Sequence, residues 1–121
     1  MAADSYDITI DQSADWHWTV RWLVGRNQKS AVPKDVTGYT AELVIAEDYN
    51  DASPLLTLNT SNSGATITPD AGAFMFHATH AQTSGLPVGR KVKYEINVTS
   101  PSNVVKRLVR GLVTVDPSVT P

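Results

Sequence analysis

The sequence predicts an all-β fold, a single antiparallel β-sandwich or barrel of about seven or eight strands. Three observations lead there. Apolar residues recur with a period of two in four separate stretches, the spacing of strands that bury one face and wet the other. Gly, Pro, Asn and Ser gather between such stretches, in VGRNQKS, SNSG, PDAG, PVG and SPSN, where turns need them. Helix signals occur in one short segment only.

The elements follow in order. YDITI sets Tyr6, Ile8 and Ile10 against Asp7 and Thr9. WHWTVRW sets Trp16, Trp18, Val20 and Trp22 against His17, Thr19 and Arg21, and YTAELVIA sets Tyr39, Ala41, Leu43 and Ile45 against Thr40, Glu42 and Val44. PLLTLN (54–59), ATIT (65–68) and AFMFHA (73–78) are short and rich in β-forming residues. THAQTSGLP breaks the pattern: Thr79 is a helix N-cap residue type, Gly85 a stop, and Pro87 lies just beyond. One short helical turn is expected near 79–85. KVKYEINV is the cleanest alternation, with Val92, Tyr94, Ile96 and Val98 against Lys91, Lys93, Glu95 and Asn97. TSPSN reads as a hairpin loop into a long last strand, VVKRLVRGLVTV (104–115), in which Gly111 marks a bulge or bend. The sandwich is expected to be immunoglobulin-like or jelly-roll-like.

With 121 residues the chain forms one domain, 1–121, with short extended arms at about 1–5 and 116–121. The 10 basic and 12 acidic residues leave a formal charge of −2, so no nucleic-acid partner is expected. The cysteine count is zero, which excludes disulfides and thiolate metal sites. MAADSYDITI has neither a basic nor an apolar signal region, and no apolar run approaches the ~20 residues of a membrane helix. A soluble protein with no membrane partner is expected.

Candidate chemistry is sparse. All three tryptophans lie within DWHWTVRW, on one face with Val20. Aromatic rows of this kind bind sugars or bases, but at strand periodicity they more often supply core or a subunit interface. His77 and His80 in HATH are three apart, yet the first ends a strand and the second enters the helical turn, with no third ligand nearby. Glu47, Asp48 and Asp51 lack the order of a calcium loop. The sequons at Asn59 and Asn97 carry little without a secretory signal. There is no nucleophile elbow, phosphate-cradling Gly loop or His-Glu-x-x-His helix, so no enzyme, catalytic residue, cofactor or metal is expected.

Four stretches together carry a family resemblance: DWHWTVRWL, VPKDVTGYTAELVI, PLLTLNTSNSGATITPDAGAFMF and YEINVTSPSNVVKRLVRGLVTVDPSVT. They resemble a family of small tailed-phage virion proteins. Its pattern is an aromatic strand, a Pro-x-Asp-Leu-Thr-Gly-Tyr-Thr-Ala motif, a Gly-centred turn and a closing hairpin. The stretches are also similar to the N-terminal domain of phage upper baseplate proteins. The resemblance spans about Tyr6 to Thr120 and departs from the pattern at Val36 (for Leu), SNSGAT and Glu95 (for Asp). It implies a non-enzymatic structural component of a tailed-phage particle, a minor tail, tail-tip or baseplate protein made in the host cytoplasm and housed in the virion. Its partners would be other virion proteins and copies of itself. The interface residues expected are Trp16 and Trp22 on the aromatic row, and Asp116, Pro117, Val119 and Pro121 on a Pro-rich terminal arm. A capsid decoration or head-attached protein is the alternative, and a module binding host-surface sugar through Trp16, Trp18 and Trp22 is the second.

Overall fold

A computed structural model describes residues 4–24, 32–48, 54–89 and 91–117. In chain order the strands are β1 (Asp4–Ser5), β2 (Ile8–Asp11), β3 (Trp16–Arg21), β4 (Leu23–Val24), β5 (Val32–Pro33), β6 (Thr40–Ala46), β7 (Leu56–Asn59), β8 (Ala65–Thr68), β9 (Ala73–Ala78), β10 (Lys91–Thr99) and β11 (Val105–Asp116). One sheet runs β1-β11-β10-β6-β7, with β2 also on β11, and faces a three-stranded sheet, β3-β9-β8. β4 and β5 form a separate two-stranded ribbon.

This order decides between the two expected sandwiches. β3, β9 and β8 occupy the places of strands B, E and D of an immunoglobulin sandwich, and β6, β10, β11 and β7 those of C, F, G and C′. The fold is immunoglobulin-like. The larger sheet is mixed rather than wholly antiparallel, because β1 and β2 both pair in parallel with β11. Asp4 lies opposite Val109 and Ile8 opposite Val113, so the two short strands hold one register along β11. Their parallel course reflects topology, not sequence: the first and last strands share one edge.

Alternation sets the core. Leu43 and Ile45 of β6, Phe74 and Phe76 of β9, and Val92 and Ile96 of β10 are fully buried between the sheets. Each side chain of this size contributes about 1.5–3 kcal/mol when removed from water. The cross-strand pairs are direct, with Ile96 opposite Leu43 and Tyr94 opposite Ile45.

Two glycines hold the frame. In VPKDVTGYTA, Asp35 Oδ1 accepts from the Thr37 amide at 3.0 Å and from Thr37 Oγ1 at 2.6 Å, closing a turn that buries Val36. Gly38 continues it at φ +81°, where a Cβ would also stand 2.8 Å from Pro101 Cγ. Gly111, expected at a bulge or bend, instead marks a close backbone approach: any Cβ there would collide with the Tyr6 carbonyl oxygen. Tyr94, opposite Gly111 on β10, donates its hydroxyl hydrogen to that same oxygen.

The bulge lies three residues earlier. Ile96 faces Val109 while Asn97 faces Arg107, so Leu108 is the extra residue. The helical turn falls where expected, as α1 (His80–Ser84), with Thr79 and Gln82 forming a reciprocal capping box.

The arm boundaries differ from expectation. Asp4 and Ser5 belong to the β1 ladder, and Asp116 ends β11 opposite Asp11. Val119 and Pro121 lie outside the described residues.

Candidate interaction site

The tryptophan row is built by the alternation of β3. Trp16, Trp18 and Val20 lie opposite Ala78, Phe76 and Phe74 of β9, so the row joins the face that carries the buried phenylalanines. Yet Trp16, Trp18, Val20 and Trp22 are only half-buried, packed against the core cluster rather than within it. The physical reason is lateral. Among the described residues, β3 pairs with β9 alone and is the edge of its sheet.

Each indole has its own neighbours. Trp18 stacks on Tyr6, with ring centres 5.8 Å apart and planes 22° apart, and meets the edge of Tyr94 at 5.7 Å. The latter contact joins β3 to β10, the strands that a disulfide bridges in antibody domains; here aromatic packing holds that place. Trp16 tilts against Trp18 at 6.1 Å. Trp22 meets Tyr39 edge-on at 6.1 Å and receives two ammonium groups over its ring, Lys34 Nζ at 5.1 Å and Lys106 Nζ at 4.9 Å.

Lys106 reaches Trp22 because of the Leu108 bulge. The bulge sets Lys106 opposite Val98, on the core-facing side, and Arg107 opposite Asn97, on the outer side. There Arg107 Nε lies 2.7 Å from Glu95 Oε2. Lys106 and Arg107 thereby lie on opposite sides of β11.

A cleft of about 470 Å³ opens between β3 and the N-terminal strand, lined by Ser5, Tyr6, Trp18, Thr19, Val20 and Val109. It is the open seam of the sandwich. The opposite seam, between β7 and β8, is closed by a turn in which Asn62 Oδ1 accepts from the amides of Asn59 at 3.0 Å and Gly64 at 2.9 Å. A second hollow of about 320 Å³ lies over Glu42, Asn59, Asn97 and Thr99 on the outer face of the larger sheet.

The other candidates separate. His77 stacks on His17, ring centres 4.5 Å apart, across β3 and β9. His80 instead turns to Asp15, whose Oδ1 accepts from the His80 amide at 2.7 Å and lies 3.1 Å from its Nδ1. Those contacts, the backbone one foremost, hold the Asp15 carboxyl below its ordinary value. Hydrogen bonds from Thr37 do the same for Asp35. No group of three metal-ligating residues occurs among the described residues. Asp48 lies 3.6 Å from Lys93 Nζ, and Asp51 is outside the described residues.

Trp16 and Trp22, expected at an interface, do not line this cleft, and sequence reasoning missed Tyr6, Thr19 and Val109 as its walls. Asp116 and Pro117 are exposed at the end of β11, away from those walls in sequence and register.

Neither a family model nor a curated relative matches the chain. Solved structures do: the crystal structure of a chicken TCR aligns with a TM-score of 0.51 at 11% identity, over 98% of this chain and 56% of that one. The chain thus spans little more than half of that neighbour, and at such identity the likeness is one of fold: an immunoglobulin-like β-sandwich.

Proposed function

We propose that the chain is a non-enzymatic structural subunit of a tailed-phage particle, placed in the tail tip or baseplate, that works through contacts with other virion proteins and copies of itself. The observation that supports assembly most is the open seam: an edge strand bearing half-buried tryptophans beside a cleft of about 470 Å³. Edges and exposed aromatic surface are pairing surfaces unless protected. The phage context is supported by the four motif stretches, of which Asp35-Val36-Thr37-Gly38 folds as one hydrogen-bonded turn.

Sugar binding by the row has less support. A platform needs open indole faces, whereas Tyr6 stacks on Trp18 and two lysines approach the ring of Trp22. Mass spectrometry of purified particles, with immunogold labelling, tests the proposal. The protein is expected at a fixed copy number, with label on the tail end. Absence from particles, or turnover of a substrate by the free chain, overturns it.

A further inference from the structure

We infer that the free edge of β3 pairs with the same edge of a second copy, joining two three-stranded sheets into one six-stranded sheet across a two-fold axis. The inference deepens the assembly reading by naming the surface and the partner.

Among the described residues β3 pairs with β9 alone, which leaves half of its backbone groups without a ladder partner. The His77 amide donates to Gly64 O at 2.9 Å, on the β8 side of β9, so by alternation Phe74, Phe76 and Ala78 direct their backbone groups toward β3. Their partners Trp16, Trp18 and Val20 therefore point toward β9, and His17, Thr19 and Arg21 point outward. In the immunoglobulin arrangement a first strand would cover this edge. Here β1 and β2 are committed to β11 instead.

What fits such an edge is an extended strand, because only main chain offers donors and acceptors at that spacing. A second β3 fits it in one antiparallel register. With Thr19 opposite Thr19 of the partner subunit, His17 falls opposite Arg21 of the partner subunit and Arg21 opposite His17 of the partner subunit. All three pairs use outward-pointing groups, which makes about six hydrogen bonds. The same register sets Trp18 beside Val20 of the partner subunit and Trp16 beside Trp22 of the partner subunit, aromatic and β-branched pairs that stabilise sheets. No like charges meet. β3 itself has no Pro, Lys or inward charge of the kind that guards natural edges. The two-fold relation is isologous, so the interface closes at a dimer.

Thr19 makes the test. It is exposed and its amide points away from β9, so substitutions there leave the sandwich intact. Sedimentation of the full chain over a range of concentrations is expected to show a monomer–dimer equilibrium. Thr19→Lys places like charges face to face and is expected to weaken dimerisation about fivefold or more; Thr19→Glu does the same. An equimolar mixture of the two is expected to restore it as a heterodimer, since only pairing of position 19 with itself puts Lys against Glu. Thr19→Pro removes the central donors and is expected to abolish the dimer, with thermal melting confirming a folded monomer. A wild-type chain that stays monomeric, or single variants that dimerise like wild type, overturns the self-pairing. So does a mixture that fails to restore the dimer. Such a chain could still be detected in particles, so the two readings fail separately.

Discussion

β10 and β3 are the two most regular alternating strands of the chain, each with aromatic residues on its inner face, and they have different fates. β10 has β6 on one side and β11 on the other, and Val92, Tyr94, Ile96 and Val98 are buried. Among the described residues β3 has β9 on one side only, and its inner residues are half-buried. Period two therefore tells which face turns inward, while burial depends on neighbours to left and right. An interior strand becomes core; an edge strand with the same pattern becomes a surface on which something else can be built.

Tyr94 and Trp18 touch across the two sheets, so truncating each in turn breaks the comparison at one contact. Tyr94→Ala is expected to cost about 3–5 kcal/mol in denaturant unfolding, the range for emptying a buried aromatic site. It also removes the donor to the Tyr6 carbonyl and loosens the N-terminal strand. Trp18→Ala is expected to cost less, about 2–3 kcal/mol, because part of its surface is already wet. Equal losses would mean that β3 is covered as fully as β10.

Acid sharpens the same contrast from the β3 side. The Asp15 carboxyl, just before β3, is held below its ordinary 3.8 by the His80 amide and ring. A lowered folded value gives stability that is fully present above the unfolded value and lost as pH falls through the folded one. Asp15→Asn is therefore expected to reduce the loss of stability below about pH 4, read from melting temperature against pH. An unchanged acid limb would place the titration elsewhere.

The smallest effect is expected on the outer face of β10. Lys93 is partly exposed near Asp48, and Lys93→Glu should change stability by no more than about 0.5 kcal/mol. A much larger loss would mean that this face is packed.

Much of the fold was legible because it depends on local rules. ATIT and AFMFHA bound their strands to the residue, Thr79 capped the helical turn, and the inner faces of β6 and β10 followed alternation. What was not legible depends on pairing between distant segments. Nothing local to YDITI says that it runs parallel to the last strand, or that Tyr6 leaves the inner face to be 59% exposed while stacking on Trp18. Gly111 signalled a special position, but its cause, the Tyr6 carbonyl, lies over a hundred residues away in sequence. The bulge at Leu108 carries no glycine and reverses the side on which Lys106 falls. The tryptophan row was visible at once, whereas its place on a sheet edge was not, since an edge is defined by a neighbour that is missing.

Amide hydrogen exchange along β3, followed residue by residue at two protein concentrations, tests the central claim most directly. In dilute solution the amides of Trp18 and Val20, bonded to β9, should be protected, while those of Thr19 and Arg21 exchange freely. At high concentration the Thr19 and Arg21 amides should gain protection as the edge is covered. Uniform protection of all four in the dilute monomer would contradict the account, because β3 would then have a second neighbour within its own chain.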